Sequence, residues 1–143
     1  MNIARDSVVL LDFEAPDEKS AVLKVASLLE GDAAVTNYAS FRTAIWERQC
    51  LQAPLLGNGV ALPHARTGAV SEMVFAIGRL RTPVPFGKEQ VPVTLIILYG
   101  SPSGQVAPSL AVIAELAKKL HRPEILSGLM QAPTDADFRK LLA

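Results

Sequence analysis

An α/β fold, with a sheet covered by helices on both faces, is what the sequence predicts. Apolar residues recur at helical spacing in the first third of the chain and again after residue 107. Between them lie two apolar runs of strand length, residues 73–80 and 91–99. The second run, VPVTLIILY, is almost unbroken by polar residues, which suits a central strand buried on both faces. Helices first, strands in the middle and helices last then require helical layers on both sides of the sheet.

The elements follow in order. Asp17 caps a helix over residues 18–30, stopped by Gly31, with Val22, Val25, Ala26 and Leu29 as its buried stripe. A second helix covers 38–50, with Phe41, Ala44 and Ile45 on one face. Arg48 follows Ala44 by four and so lies near the rim of that face. The helical pattern stops before Pro54. Val60, Ala61 and Leu62 form a short strand, and Pro92 is tolerable near the start of the 91–99 strand. A third helix covers 108–120, with Pro108 in its first turn and Lys118, Lys119 and Arg122 at its negative end. Short helices follow at 124–130 and 135–142, the latter capped by Thr134.

Bulk properties bound the function. The 143 residues suit one domain spanning 1–143, and half of them are hydrophobic, enough for a sizeable core. Fourteen basic residues balance fourteen acidic ones. Such a chain lacks the electrostatic footprint of a nucleic-acid binder, and it has no polybasic run for an anionic membrane. Cys50 is the single cysteine, so no internal disulfide forms and multi-cysteine zinc sites are excluded. The N-terminal apolar run is too short and too acidic in its flanks for a signal peptide, and no run is long enough to span a membrane. The expectation is a cytoplasmic protein with no direct membrane insertion.

Residues 55–66, LLGNGVALPHAR, carry the chemistry. Gly57, Asn58 and Gly59 permit positive backbone dihedrals and so a tight turn. Pro63 fixes the backbone just before His64, and positioning is most of what phosphoryl transfer asks of a protein. Imidazole is abundant in its neutral form near pH 7, with a lone pair free to attack phosphorus. A forked guanidinium would offset the phosphoryl charge, and Arg48 and Arg66 are the candidates. No metal or cofactor is required. Taken by spacing alone, a solvated loop histidine is the commoner reading, and Gly-Asn-Gly is ordinary hairpin chemistry.

The segment resembles the active-site signature of the type 2 EIIA family of the bacterial phosphotransferase system, which includes fructose, mannitol and nitrogen-regulatory IIA domains. The matching residues are Gly57, Gly59, Val60 to Leu62, Pro63, His64, Ala65 and Arg66. Trp46-Glu47-Arg48 and the late helix LAVIAELAKKL sit where the family has them, so the resemblance covers nearly the whole chain. It implies a mixed, roughly five-stranded sheet sandwiched between helices. It implies that His64 accepts a phosphoryl group at Nε2 from phospho-HPr and passes it to a IIB domain or holds it as a regulatory signal. Arg48 would stabilise the phosphorylated state, with Arg66 and the turn of Gly57, Asn58 and Gly59 as the substrate-binding surround. The absence of fused IIB or IIC segments favours a free-standing, nitrogen-regulatory type.

Three positions depart from the family pattern. Arg48 is followed by Gln49 where members often have Glu. Ala53-Pro54 stands where they often have Ser-Thr. Ser109 occupies the position of a second, supporting histidine, where it could still donate to phosphate near a helix N-terminus. These departures motivate an alternative, a degenerate EIIA-like module that binds a regulatory partner without efficient transfer. A histidine-dependent hydrolase is disfavoured, because no Ser or Cys sits in a nucleophile elbow and only two histidines exist.

Among other residues, His121 reads as a solvated cation at a helix end, and Cys50 as small and partly buried. Trp46 and Phe41 read as core, and Phe86 and Gly87 as a turn with an anchoring aromatic. Ser101 and Ser103 lie on a loop that could border the site.

Overall fold

Local signals set several helix starts. The computed structural model describes residues 2–143. Helix α1 is a single turn over Ile3–Asp6, and strand β1 follows at Val8–Phe13. Helix α2, Glu18–Ser27, begins where Asp17 accepts a hydrogen bond from Ser20 N, and Gly31 takes a positive φ in the turns beyond it. Helix α3, Tyr38–Leu51, is capped by Asn37. The middle of the chain supplies β2 (Leu55–Gly57), β3 (Val60–Ala61), β4 (His64–Arg66), β5 (Val74–Phe86) and β6 (Val91–Ser101). Helices α4 (Val106–Leu120), α5 (Pro123–Gln131) and α6 (Asp135–Leu142) complete it, with Thr134 capping α6 as expected.

The sheet is mixed and has six strands in the order β1-β5-β6-β3-β2, with β4 also pairing to β6. The expected mixed sheet of about five strands is present as that five-strand path, with the short β4 as a sixth strand beside it. The three strands legible in the sequence leave out β1, β2 and β4 and stop β5 too early. The connection expected around Phe86 and Gly87 is mostly strand, with only residues 87–90 turning. β5 and β6 pair antiparallel, whereas β1 joins β5 and both β3 and β4 join β6 in parallel.

Side chains alternate across the two long strands, as the period of two requires. Val74, Ala76 and Leu80 of β5 and Ile96 and Leu98 of β6 pack toward α2 and α3. Phe75, Ile77, Leu95, Ile97 and Tyr99 belong to the opposite core, which includes residues of α4, α5 and α6. This layering is the one expected of a sheet covered on both faces.

Two contacts fix how the helices sit. A Cβ on Gly100 would lie 2.5 Å from Phe41 Cε1, so the bare backbone there lets the fully buried ring of α3 press onto the sheet. On the other face Arg79, 4% exposed, donates from Nη1 to Leu129 O and Ala132 O at the end of α5. Its Nε and Nη2 donate to the two carboxylate oxygens of Asp12 at 3.2 and 3.1 Å. Asp12 itself holds φ +56°, within an irregularity of the β1–β5 register.

Candidate functional site

His64 is held by backbone on both sides. Pro63 has no N–H to give, which interrupts the edge between β3 and β4. The flanking groups are nevertheless paired: Leu62 N donates to Pro54 O at 2.8 Å, Tyr99 N to Pro63 O at 3.0 Å and Thr67 N to Ser101 O at 2.9 Å. His64 then pairs in register with Tyr99 of β6. The residue expected on a loop is therefore part of a strand.

The imidazole has one defined hydrogen bond. Its Nδ1 lies 2.8 Å from Leu62 O, and a carbonyl only accepts, so Nδ1 carries the proton in this contact. The neutral ring then leaves its lone pair on Nε2, the one ring nitrogen able to act as a nucleophile. One face of the half-buried ring stacks on Tyr99, with centroids 4.9 Å apart and planes inclined by 4°.

Electrostatics favour the neutral form. Burial pushes the His64 pKa below its ordinary 6.5; the Leu62 carbonyl acts against that shift, and the positive charges of Arg48 and Arg66 reinforce it. An NMR titration of His64 is expected to place its midpoint below 6.5. The neutral ring is what the folded state prefers. Its contribution to stability is therefore present above the ordinary value and is lost as the pH falls toward the folded midpoint. A midpoint at or above the ordinary value would contradict this electrostatic balance.

A groove of about 590 Å³ runs between α3 and β4, lined by Ala44, Glu47, Arg48, Leu51, His64, Ala65 and Arg66. Three candidates from the sequence, His64, Arg48 and Arg66, thus meet on one surface. Arg48 is half-buried and donates from Nη1 to Gln52 O, the cap residue of α3, at 2.9 Å. Arg66 is exposed. The arrangement suits a tetrahedral dianion attached to the imidazole and flanked by guanidinium donors.

Other candidates lie elsewhere. The turn of Gly57, Asn58 and Gly59 was expected to border the site, but none of the three lines the groove. Val60 pairs at the level of Leu95, four residues along β6 from Tyr99, which separates the levels by about 13 Å. Asn58 instead borders a surface depression with His121 at the far end of α4. Ser109 is 3% exposed, is not among the groove residues, and its Oγ donates to Gln105 O at 2.6 Å. Ser101 is buried, and Cys50 is exposed rather than partly buried. Gln49 is buried and donates to Glu18 at 2.8 Å, while Glu18 also accepts from Gly87 N. That network ties α2 and α3 to the β5–β6 turn.

Sequence reasoning missed two contributors. Leu51 is 80% exposed beside the histidine, and its only signal is an apolar residue at the end of a helix. Tyr99 gave no signal, because it closes an apolar strand like any other core residue.

Comparison with known proteins bears on this arrangement. A family model described as "Phosphoenolpyruvate-dependent sugar phosphotransferase system, EIIA 2" matches residues 2–143. The fructose-specific EIIABC component of Bacillus subtilis is 23% identical over 128 residues, 89% of this chain but 20% of that protein. The chain thus spans about a fifth of the length of that curated relative. The nitrogen regulatory protein IIA-Ntr of Neisseria meningitidis has a crystal structure that superposes with a TM-score of 0.89. It is 28% identical, and the match covers 99% of each chain. The mannitol enzyme IIA of Escherichia coli, solved in complex with phosphorylated enzyme IIB, shares the fold at a TM-score of 0.80. That match is 19% identical and covers 94% of this chain and 92% of that one. Among the described residues, no helix is long and apolar enough to cross a membrane.

Proposed function

The chain belongs to the phosphoenolpyruvate-dependent sugar phosphotransferase system EIIA 2 family, and on that footing we propose that it carries a phosphoryl group on Nε2 of His64. Family membership makes it a phosphotransfer component in general terms. The finer reading rests on one observation above all: Nδ1 is committed to Leu62 O, which leaves the Nε2 lone pair open in a groove with two arginines.

The Nε2 lone pair of neutral His64 attacks the phosphorus of a phosphohistidine on phospho-HPr. The new N–P bond forms as the donor's P–N bond breaks, and the electron pair returns to the donor's imidazole. The Nδ1 proton of His64 stays hydrogen-bonded to Leu62 O throughout, and no metal takes part. Arg48 and Arg66 hold the equatorial oxygens as charge redistributes. Exposed Leu51 offers the donor an apolar contact beside the reacting atom.

The acceptor is a IIB domain or a regulatory target. The likeness to a mannitol IIA solved with phosphorylated IIB supports the first, and the full-length match to a IIA-Ntr supports the second. Either role places the protein in the cytoplasm. A competing reading, a partner-binding module without transfer, is favoured by Ser109. That residue stands in place of the family's second histidine, and its hydroxyl is directed to Gln105 O.

Intact-mass analysis after incubation with phosphoenolpyruvate, enzyme I and HPr separates the two. One acid-labile phosphoryl group mapping to the peptide containing His64 is the expected result. No addition with several HPr preparations would leave the binding module. Within the phosphocarrier reading, Arg48→Gln is expected to slow uptake at saturating donor by about 10²-fold, the cost of removing one charge-stabilising donor. Rapid-quench kinetics on the folded variant checks this, and an unchanged rate would remove Arg48 from the site.

A further inference from the structure

A single hydrogen bond does not fix a ring. The Nδ1–H···O contact to Leu62 locates one atom of the imidazole but leaves it free to rock about that bond. The family's second histidine, which would support the active one, is absent, and Ser109 is turned to Gln105 O. Something else must hold the plane if Nε2 is to meet phosphorus in line.

The stack supplies it. Phe75, Tyr99 and His64 occupy register-paired positions on β5, β6 and β4, so their rings form a ladder across three strands. Tyr99 lies 4.9 Å from the imidazole at 4°, and Phe75 lies 5.6 Å from Tyr99 at 30°. Tyr99 is 8% exposed and Phe75 1%, so the middle ring is anchored from the core side. Arg48 and Arg66 line the groove with His64, and neither hydrogen-bonds the imidazole in this structure.

We propose that Tyr99 is the positioning residue of this phosphocarrier: its ring face fixes the plane of His64 and so keeps Nδ1–H on Leu62 O, the task left open by the missing second histidine. The kinetic part of this proposal rests on the phosphocarrier reading above, whereas the positioning itself does not. Tyr99 touches no substrate and acts through His64. The ring acts by its face, so phenylalanine should serve as well, while leucine should not.

The test combines spectroscopy and kinetics on the full chain. In wild type and Tyr99→Phe, the His64 carbon-bound ring protons should be displaced upfield by the stack. The ring ¹⁵N shifts should report one tautomer, protonated at Nδ1. In Tyr99→Leu the displacement should vanish and the two ¹⁵N shifts should move toward averaged values. Uptake from phospho-HPr should fall about tenfold in kcat with KM unchanged, the equivalent of one lost aromatic pair. Tyr99→Phe should restore the wild-type rate.

A Tyr99→Leu protein with wild-type ¹⁵N shifts and rate would overturn the proposal. So would a Tyr99→Phe protein as slow as Tyr99→Leu, or a loss confined to KM. If Tyr99→Leu fails to fold, the wild-type spectrum decides, because absence of the upfield displacement there removes the stack. If wild type takes up no phosphoryl group at all, the phosphocarrier reading fails alone and the spectra still judge Tyr99.

Discussion

His64→Ala is expected to abolish phosphoryl uptake completely and to leave the fold in place. The loss is total because no second imidazole shares the groove, whose other lining residues are Ala44, Glu47, Arg48, Leu51, Ala65 and Arg66. His121 lies in a different depression, beside Asn58, and cannot substitute. Ser109 is buried, with its hydroxyl on Gln105 O. The fold survives because the backbone around position 64 is pinned by main-chain bonds that alanine preserves. The side chain is half-buried and contributes one hydrogen bond and one stack, so the stability cost should be about 1 kcal/mol. Intact mass and thermal unfolding check the two halves. Residual label on the alanine variant would move the phosphorylation site elsewhere.

Arg79→Met is expected to destabilise the fold far more than His64→Ala, by about 3 kcal/mol. Methionine replaces much of the volume but none of the donors. Leu129 O and Ala132 O would lose their shared partner in the interior, and each unsatisfied acceptor costs on the order of 1–3 kcal/mol. Asp12 would lose its bidentate partner, a smaller cost because its side chain is 55% exposed. For a chain of this size the loss corresponds to roughly 10 °C in Tm. Calorimetry should show it, while uptake measured well below the transition should match wild type. A change under about 1 kcal/mol would mean that water replaces the guanidinium at the α5 terminus.

Much of this was legible in the sequence, and the remainder was not for identifiable reasons. Helix starts at Asp17 and Thr134 are local events, a side chain bonding a backbone N–H three residues on, so they read directly. The strand over β6 read directly because both of its faces are buried. β1 did not, because the stretch containing it breaks register between Leu10 and Phe13 and pairs with a strand some seventy residues away. β4 is three residues long and counts as a strand only through Tyr99, Gly100 and Ser101. His64, Arg48 and Arg66 were singled out by motif and helix spacing, and the three line one groove. The Gly57–Gly59 turn was misplaced because adjacency in sequence is not adjacency in space. A strand level of several residues lies between that turn and the histidine. Tyr99 could not be found from any local pattern, since its role comes from cross-strand register alone.

The close approach of Phe41 to Gly100 has a wider consequence. Gly100 pairs with Ala65, the neighbour of His64, and Phe41 belongs to the helix that carries Arg48. The missing Cβ therefore acts as a shim: it sets how thick the stack of helix, ring and sheet is, and with it the span between the arginine and the imidazole. A site calibrated this way is sensitive to a residue that has no functional group and never meets the substrate. Drift at position 100 could retune or silence the carrier while every residue of its signature motif stayed intact, so motif presence alone is a poor proxy for activity among relatives.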